Sequence, residues 1–189
     1  MRILTALPLL ALLATPAIAQ ESTSAAGDTL RVAATADARC VVEDASGSGG
    51  TNASFTPDGA GGGTIRITQL VDPETAQPRA AVADIALPVT CNAAHRVYVG
   101  SVEGGLLRAG GQRGLLPSAS GFGDYLPYTL SFDWGDDSIS GASNQQLTTA
   151  EQGATHGELR LRVAVEPDEG FLTAGTYSDN VTIRFEPAS

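Results

Sequence analysis

Few side chains in this chain could do chemistry, and their spacing argues against most of it. Cys40 and Cys91 are the only cysteines, and His95 and His156 the only histidines. A structural zinc site needs four ligands in closely spaced pairs, and two cysteines with two distant histidines lack that spacing. His95 opens a predicted strand and His156 falls in a predicted polar loop. Neither has the neighbours of a ligand or a general base, so both are expected at the surface. Asp133, Asp136 and Asp137 cluster around Trp134 and could attract calcium, but Asp-Trp-Gly-Asp-Asp follows no calcium-loop spacing, and an acidic turn is the better reading. The glycine run at residues 59–63 precedes a strand rather than a helix, so it is no phosphate cradle.

No Gly-x-Ser-x-Gly elbow, Walker loop or His-Glu-x-x-His motif occurs. All eleven basic residues are arginine. Without lysine there is no Schiff base and no lysine-derived isopeptide crosslink. Asn52-Ala-Ser and Asn180-Val-Thr fit the glycosylation sequon, but so short a motif carries no argument. The expectation is a protein without enzymatic activity, cofactor or metal.

The elements that position these residues begin after a secretory signal. Residues 1–19 hold a basic Arg2, an apolar run over residues 3–13, and Ala17-Ile18-Ala19 as a small-x-small cleavage site before Gln20. The apolar run is too short to span a membrane, no second run of about 20 apolar residues follows, and no cysteine next to the cleavage site offers a lipid anchor. The destination is an oxidising compartment, where Cys40 and Cys91 are expected to form one disulfide rather than two buried thiols. Closing a loop of roughly 50 residues stabilises by about 4 kcal/mol on the chain-entropy model. The net charge of −10 becomes −11 without Arg2. Such a surface disfavours nucleic acid and anionic lipid, and serves solubility.

Period-two patterning then dominates. Residues 20–28 read as a flexible leader and residues 30–36 as a first alternating segment. A strand is expected around Cys40, and residues 45–63 read as a long Gly/Ser/Asn/Pro-rich loop. Ile65 and Ile67 mark a short strand. Residues 82–91 and 95–102 are strongly apolar, and Asn92-Ala-Ala between them predicts a hairpin. Residues 100–123 are loop-rich. Leu126, Tyr128, Leu130, Phe132 and Trp134 share one strand face, and residues 138–153 read as a polar connection. Leu159, Leu161, Val163 and Val165 alternate with Arg160 and Arg162. Finally, Val181, Ile183 and Phe185 point one way while Thr182 and Arg184 point the other. Only four residues follow Phe185, so this strand is expected to keep one edge open. No stretch holds helical periodicity over three turns. Seven or eight short strands predict an all-β, immunoglobulin-like antiparallel β-sandwich of modest core, lacking its final strand.

Several of these stretches together resemble the spore coat protein U family, secreted subunits of archaic chaperone–usher pili. They are the alternating segment before Cys40; Ile85-Ala-Leu-Pro-Val-Thr-Cys91; Gly111-Gln-Arg113 with Tyr125-Leu-Pro-Tyr-Thr-Leu-Ser-Phe-Asp133 and Trp134-Gly135; the strand over residues 159–165; and Ala174-Gly-Thr-Tyr-Ser-Asp-Asn-Val-Thr-Ile. The Ala-Gly-Thr-Tyr-Ser-Asp element is the most specific. The long glycine-rich stretch at residues 45–63 departs from the family, whose members carry a shorter segment there with a Phe-Gly pair.

The resemblance implies a sandwich whose missing strand leaves an apolar groove, filled first by a periplasmic chaperone and then by the N-terminal segment of a neighbouring subunit. Carried onto this chain, residues 1–19 are the signal peptide, residues 20–38 the leader and donor strand, and residues 39–189 the domain. Leu30, Val32, Ala34 and Ala36 would enter the groove, and Val181, Ile183 and Phe185 would wall it. The implied partners are a periplasmic pilus chaperone, an outer-membrane usher and neighbouring subunits, and the route runs through the periplasm to the cell surface. Two other readings stay open. Residues 30–36 could be an ordinary first strand of their own domain, and the chain could be a monomeric secreted module that binds a carbohydrate or surface ligand.

Overall fold

Alternating apolar residues broken by glycine, proline and acidic turns favour strands over helices. The computed structural model describes residues 33–188, and every regular element among them is a strand. In chain order they are β1 (Cys40–Val42), β2 (Ser46–Gly49), β3 (Ala53–Pro57), β4 (Gly63–Ile67), β5 (Ala81–Cys91), β6 (His95–Ser101), β7 (Leu106–Arg108) and β8 (Phe122–Gly123). There follow β9 (Tyr125–Leu126), β10 (Thr129–Trp134), β11 (Asp137–Ala142), β12 (Leu147–Thr148), β13 (Thr155–Val165), β14 (Phe171–Leu172), β15 (Tyr177–Ser178) and β16 (Val181–Pro187).

They build a β-sandwich. One layer runs β1-β5-β13-β10-β11, with β2 also on the β1 side of β5, and the other runs β12-β6-β16. The first layer is organised by β5 and β13, antiparallel from Ala81↔Val165 to Cys91↔Thr155. Ala81, Ala83, Ile85, Leu87, Val89 and Cys91 are buried at every second position of β5, as a strand with one face on the core requires. Leu130, Phe132 and Trp134 of β10 and Val97 and Val99 of β6 complete the centre of one shared core. Each such side chain contributes about 1.5–3 kcal/mol when fully enclosed.

Pro88 lies within β5, a position that proline's missing N–H normally forbids. Its carbonyl accepts from Glu43 N at 2.9 Å, so its backbone faces the β1/β2 edge rather than β13. It falls between the stretch paired with β2, which ends at Ala86, and the stretch paired with β1, which begins at Val89. No ladder bond is lost there.

Three expectations are corrected. The predicted hairpin at residues 92–94 is instead a crossing between layers, because β13 on one side and β1 and β2 on the other occupy both edges of β5. β6 pairs with β12 and β16.

Residues 45–63 are not one loop. They contain β2 and β3, and β3 forms an antiparallel hairpin with β4. Their glycines serve close packing: a Cβ at Gly63 would fall 2.4 Å from the Phe55 ring, and one at Gly47 would fall 2.7 Å from it. Asp58 closes the hairpin turn, its carboxylate accepting from Ala60 N at 2.9 Å and Gly62 N at 3.2 Å.

Residues 138–153 hold most of β11 and all of β12. β11 is an edge strand with no fully buried residue, so it carries no apolar signature. Residues 100–123 are loop-rich as expected, and also hold the short strands β7 and β8.

Of the first alternating segment, Leu30 and Val32 lie outside the described residues. Ala34 and Ala36 belong to no strand. No helix among the described residues is long and apolar enough to cross a membrane.

Candidate functional site

Cys40 and Cys91 form the expected disulfide, between directly opposed residues of β1 and β5. His95 lies within reach of both sulfurs: the three donor groups fall within 4.8 Å of one another. They do not make a metal site, because the sulfurs are bonded to each other and both ring nitrogens of His95 are engaged. Nε2 accepts from Trp134 Nε1 at 2.8 Å, and Nδ1–H donates to the Ala93 carbonyl at 3.0 Å, a tautomer assigned from the network.

The surface position expected for His95 is therefore wrong; it is fully buried. Its ring joins Trp134 and Phe185 in an aromatic cluster between the layers. His156 is exposed as expected, but it sits on β13 rather than in a loop, its Nδ1 2.8 Å from Thr90 Oγ1. Among the clustered aspartates, Asp137 is committed to the fold, accepting from Ala150 N at 3.0 Å and Gln152 Nε2 at 2.9 Å.

The Ala174-Gly-Thr-Tyr-Ser-Asp stretch is a brace that sets β16 in place. Gly175 packs on Arg108, whose side chain carbons would lie 2.9 Å from a Cβ there. Arg108 cannot retreat, since its Nε donates to Asp124 Oδ1 at 2.7 Å and its Nη2 to Oδ2 at 3.3 Å. The guanidinium holds the Asp124 carboxyl down to about 2, from an ordinary 3.8. Tyr177 turns the corner: its hydroxyl donates to the Thr173 carbonyl, 2.7 Å away and four residues back, with the Gly123 carbonyl at 3.1 Å.

Asp179 is the hub of the brace. Its carboxylate accepts from Ser101 Oγ, from Glu103 N at 2.9 Å, from Tyr128 Oη at 2.9 Å and from Asn180 N at 2.6 Å. Burial, with the neighbouring Asp179 charge adding to it, pushes the Tyr128 hydroxyl up, so it stays a donor.

The brace delivers β16 with one edge paired. β16 runs antiparallel to β6 from Val181↔Ser101 to Pro187↔His95, and no strand among the described residues pairs with its other edge. Opposed residues of an antiparallel pair alternately exchange two hydrogen bonds or none. Val102 N donates to Asn180 O at 2.8 Å and Ala188 N to Ala94 O at 2.7 Å, so the bonded phase falls on Asn180, Thr182, Arg184, Glu186 and Ala188. The N–H and C=O groups of Val181, Ile183 and Phe185 accordingly point to the open edge. Their side chains are half-buried against the core.

Beside that edge lies a groove of about 990 Å³. Val181, Ile183 and Phe185 line it, and so do Phe55, Ile65 and Ile67 of the β3–β4 hairpin. Ile85, Leu87, Leu161 and Val163, from β5 and β13, also border it. The three β16 residues singled out from the sequence are thus brought together, and the hairpin wall was missed. Ile65 and Ile67 mark a strand in the sequence, but nothing in their alternation says that they line a groove together with β16.

An immunoglobulin-like sandwich with an apolar, half-paired edge strand is the class that this geometry defines. Within that class, the model of the Spore Coat Protein U domain matches residues 26–184, and the chain belongs to that family. The family is one of surface-associated coat and pilus domains. No curated protein and no solved structure matches the chain.

Proposed function

We propose that this chain is a structural subunit of a surface pilus assembled by donor-strand exchange. The observation that carries the reading is β16, whose free edge borders an apolar groove. Unpaired N–H and C=O groups beside apolar side chains invite a further strand, because that strand satisfies the backbone and covers the surface at once. The occupant is an extended segment whose alternate side chains are apolar. In this chain the segment over residues 29–36 fits, with Leu30, Val32, Ala34 and Ala36 on one face and Arg31 on the other.

On this reading residues 1–19 direct the chain to the periplasm. A pilus chaperone there fills the groove with a strand of its own. At an outer-membrane usher, the segment of an incoming neighbour replaces that strand, and the polymer grows onto the cell surface. The Cys40–Cys91 disulfide suits an oxidising route.

The test is Ile183→Asp, expressed from cells that make surface polymer. A carboxylate in the groove loses its hydration without gaining a partner. The SDS-resistant ladder should disappear, while the disulfide-bonded monomer is still recovered with its chaperone. A normal ladder would overturn the reading, because polymer would then form without this groove; the absence of any ladder from the native chain would favour a monomeric secreted binding module.

A further inference from the structure

A separate cleft of about 410 Å³ lies where the turn that follows β6 meets the turn between β11 and β12. Residues 100–104 and 143–146 line it, together with Arg113 and Tyr125. It shares no lining residue with the groove beside β16.

The frame of the cleft is held by buried bonds. Ser143 N donates to the Tyr128 carbonyl at 2.7 Å, while Ser143 Oγ accepts from Tyr128 N at 3.0 Å and donates to the Gly104 carbonyl at 2.6 Å. The buried Tyr125 hydroxyl donates to the same carbonyl. Gly104 N donates to Ser101 Oγ at 2.7 Å. The two turns also touch, since a Cβ at Gly104 would fall 3.3 Å from Asn144 Cα. A frame so fixed presents its side chains without a ligand having to order them.

What it presents is unspent hydrogen-bonding capacity. Asn144, Gln145 and Gln146 are consecutive exposed carboxamides. The Gln145 backbone N–H closes the turn on the Ala142 carbonyl at 2.9 Å, but the three side chains make no hydrogen bond among the described residues. Elsewhere the chain commits such groups to its own fold: Asn52 donates to the Gln69 and Ala80 carbonyls, Asn92 to the Asp37 carbonyl, and Gln152 to Asp137. Charge at the cleft is balanced, because Arg113, the one basic residue of its lining, is paired with Glu103.

Gly100 adds an independent sign. It lies in β6, the middle strand of its layer, where glycine weakens pairing and often marks a close approach by a ligand. Its φ is not positive, and a Cβ there would meet no atom within 4 Å. Neither the backbone nor packing within the chain requires glycine at this position; the missing side chain leaves open space at the cleft.

We propose that the cleft binds a neutral polyhydroxylated ligand, a pyranose unit of a glycan. Carboxamides donate and accept at once, as sugar hydroxyls do. The Glu103–Arg113 pair adds an acceptor and donors while leaving no spare cation for a phosphate or carboxylate. Val102, 55% exposed, offers an aliphatic surface to the C–H face of a ring. The volume falls within the range of about 300–1,000 Å³ of small-molecule sites. The inference does not rest on the donor-strand reading, since a strand in the groove leaves the lining of the cleft unoccupied.

The experiment is saturation-transfer NMR on the chain as recovered from the cells that make it, monomer or polymer. The methyl glycosides of glucose, galactose, mannose, fucose and N-acetylglucosamine are tested, with N-acetylneuraminic acid as the charged comparison. The expected result is transfer to at least one neutral glycoside. Combining Gln145→Ala with Gln146→Ala should weaken its binding about tenfold, through the lost hydrogen bonds. Gly100→Leu should abolish the signal by filling the open space. Gln112→Ala, at an exposed carboxamide outside the cleft, should leave it unchanged. Thermal melts of these variants should match the native chain, so that a lost signal reports the cleft and not the fold. No transfer to any neutral glycoside, stronger transfer to N-acetylneuraminic acid, or a signal that survives both the double change and Gly100→Leu would overturn the proposal.

Discussion

The indole N–H of Trp134 donates to Nε2 of His95 at 2.8 Å, a hydrogen bond from β10 in one layer to β6 in the other. Both residues are almost entirely buried, so no water stands in when the acceptor is lost. His95→Leu keeps an apolar side chain of similar size but orphans the indole donor. It should cost about 1–3 kcal/mol, read as a lower urea midpoint at unchanged slope.

Cys40 and Cys91 close a loop with a sequence separation of 51. Replacing either with serine should destabilise the domain by about 4 kcal/mol on the chain-entropy model. Yield of folded protein and denaturant midpoint measure it, and non-reducing peptide mapping of the native chain should find no free thiol.

Asp124 predicts an acid response. Its folded pKa of about 2 lies below the ordinary 3.8, because Arg108 stabilises the ionised form. A depressed carboxyl contributes stability above its unfolded pKa and loses it as pH falls through the folded one. The advantage of the native chain over Asp124→Asn should hold at neutral pH and shrink as pH falls from about 4 to 2. Thermal melts of the two proteins across that range would test it.

The proposed donor segment makes its own prediction. Leu30 and Val32 are the bulky residues on the apolar face of the segment, each contributing about 1.5–3 kcal/mol if enclosed. Leu30→Asp or Val32→Asp should abolish the SDS-resistant ladder, while Arg31→Ser on the opposite face should leave it nearly intact. Normal ladders from both aspartate variants would show that another segment fills the groove.

The sequence was most legible where one strand face meets the core. Leu159, Leu161 and Val165 are buried and Val163 half-buried, in alternation with the exposed Arg160 and Arg162, and the open edge expected for the strand of Val181, Ile183 and Phe185 matches the pairing of β16 among the described residues. It was least legible where packing works through small or polar residues. Gly47 and Gly63 look like loop, yet they make room for Phe55. His95 looks like surface, yet both its nitrogens are satisfied inside the core. The crossing at residues 92–94 depends on which edges of β5 are already taken, and that is a property of distant strands. For the groove, periodicity put Val181, Ile183 and Phe185 on one face of a strand, and the resemblance alone suggested that this face walls a groove; that the β3–β4 hairpin also lines it depends on a placement no local pattern encodes.

Cys40 is also the first residue of β1, where the preceding chain enters the sandwich. A three-residue strand would peel from its neighbour under tension. Here a pull on the chain before Cys40 passes through a covalent bond into β5, and from there into the eleven-residue ladder with β13, loaded along its length. In a fibre whose subunits hold one another by that preceding segment, mechanical load would bypass the short β1 pairing and settle on the longest strand pair of the domain.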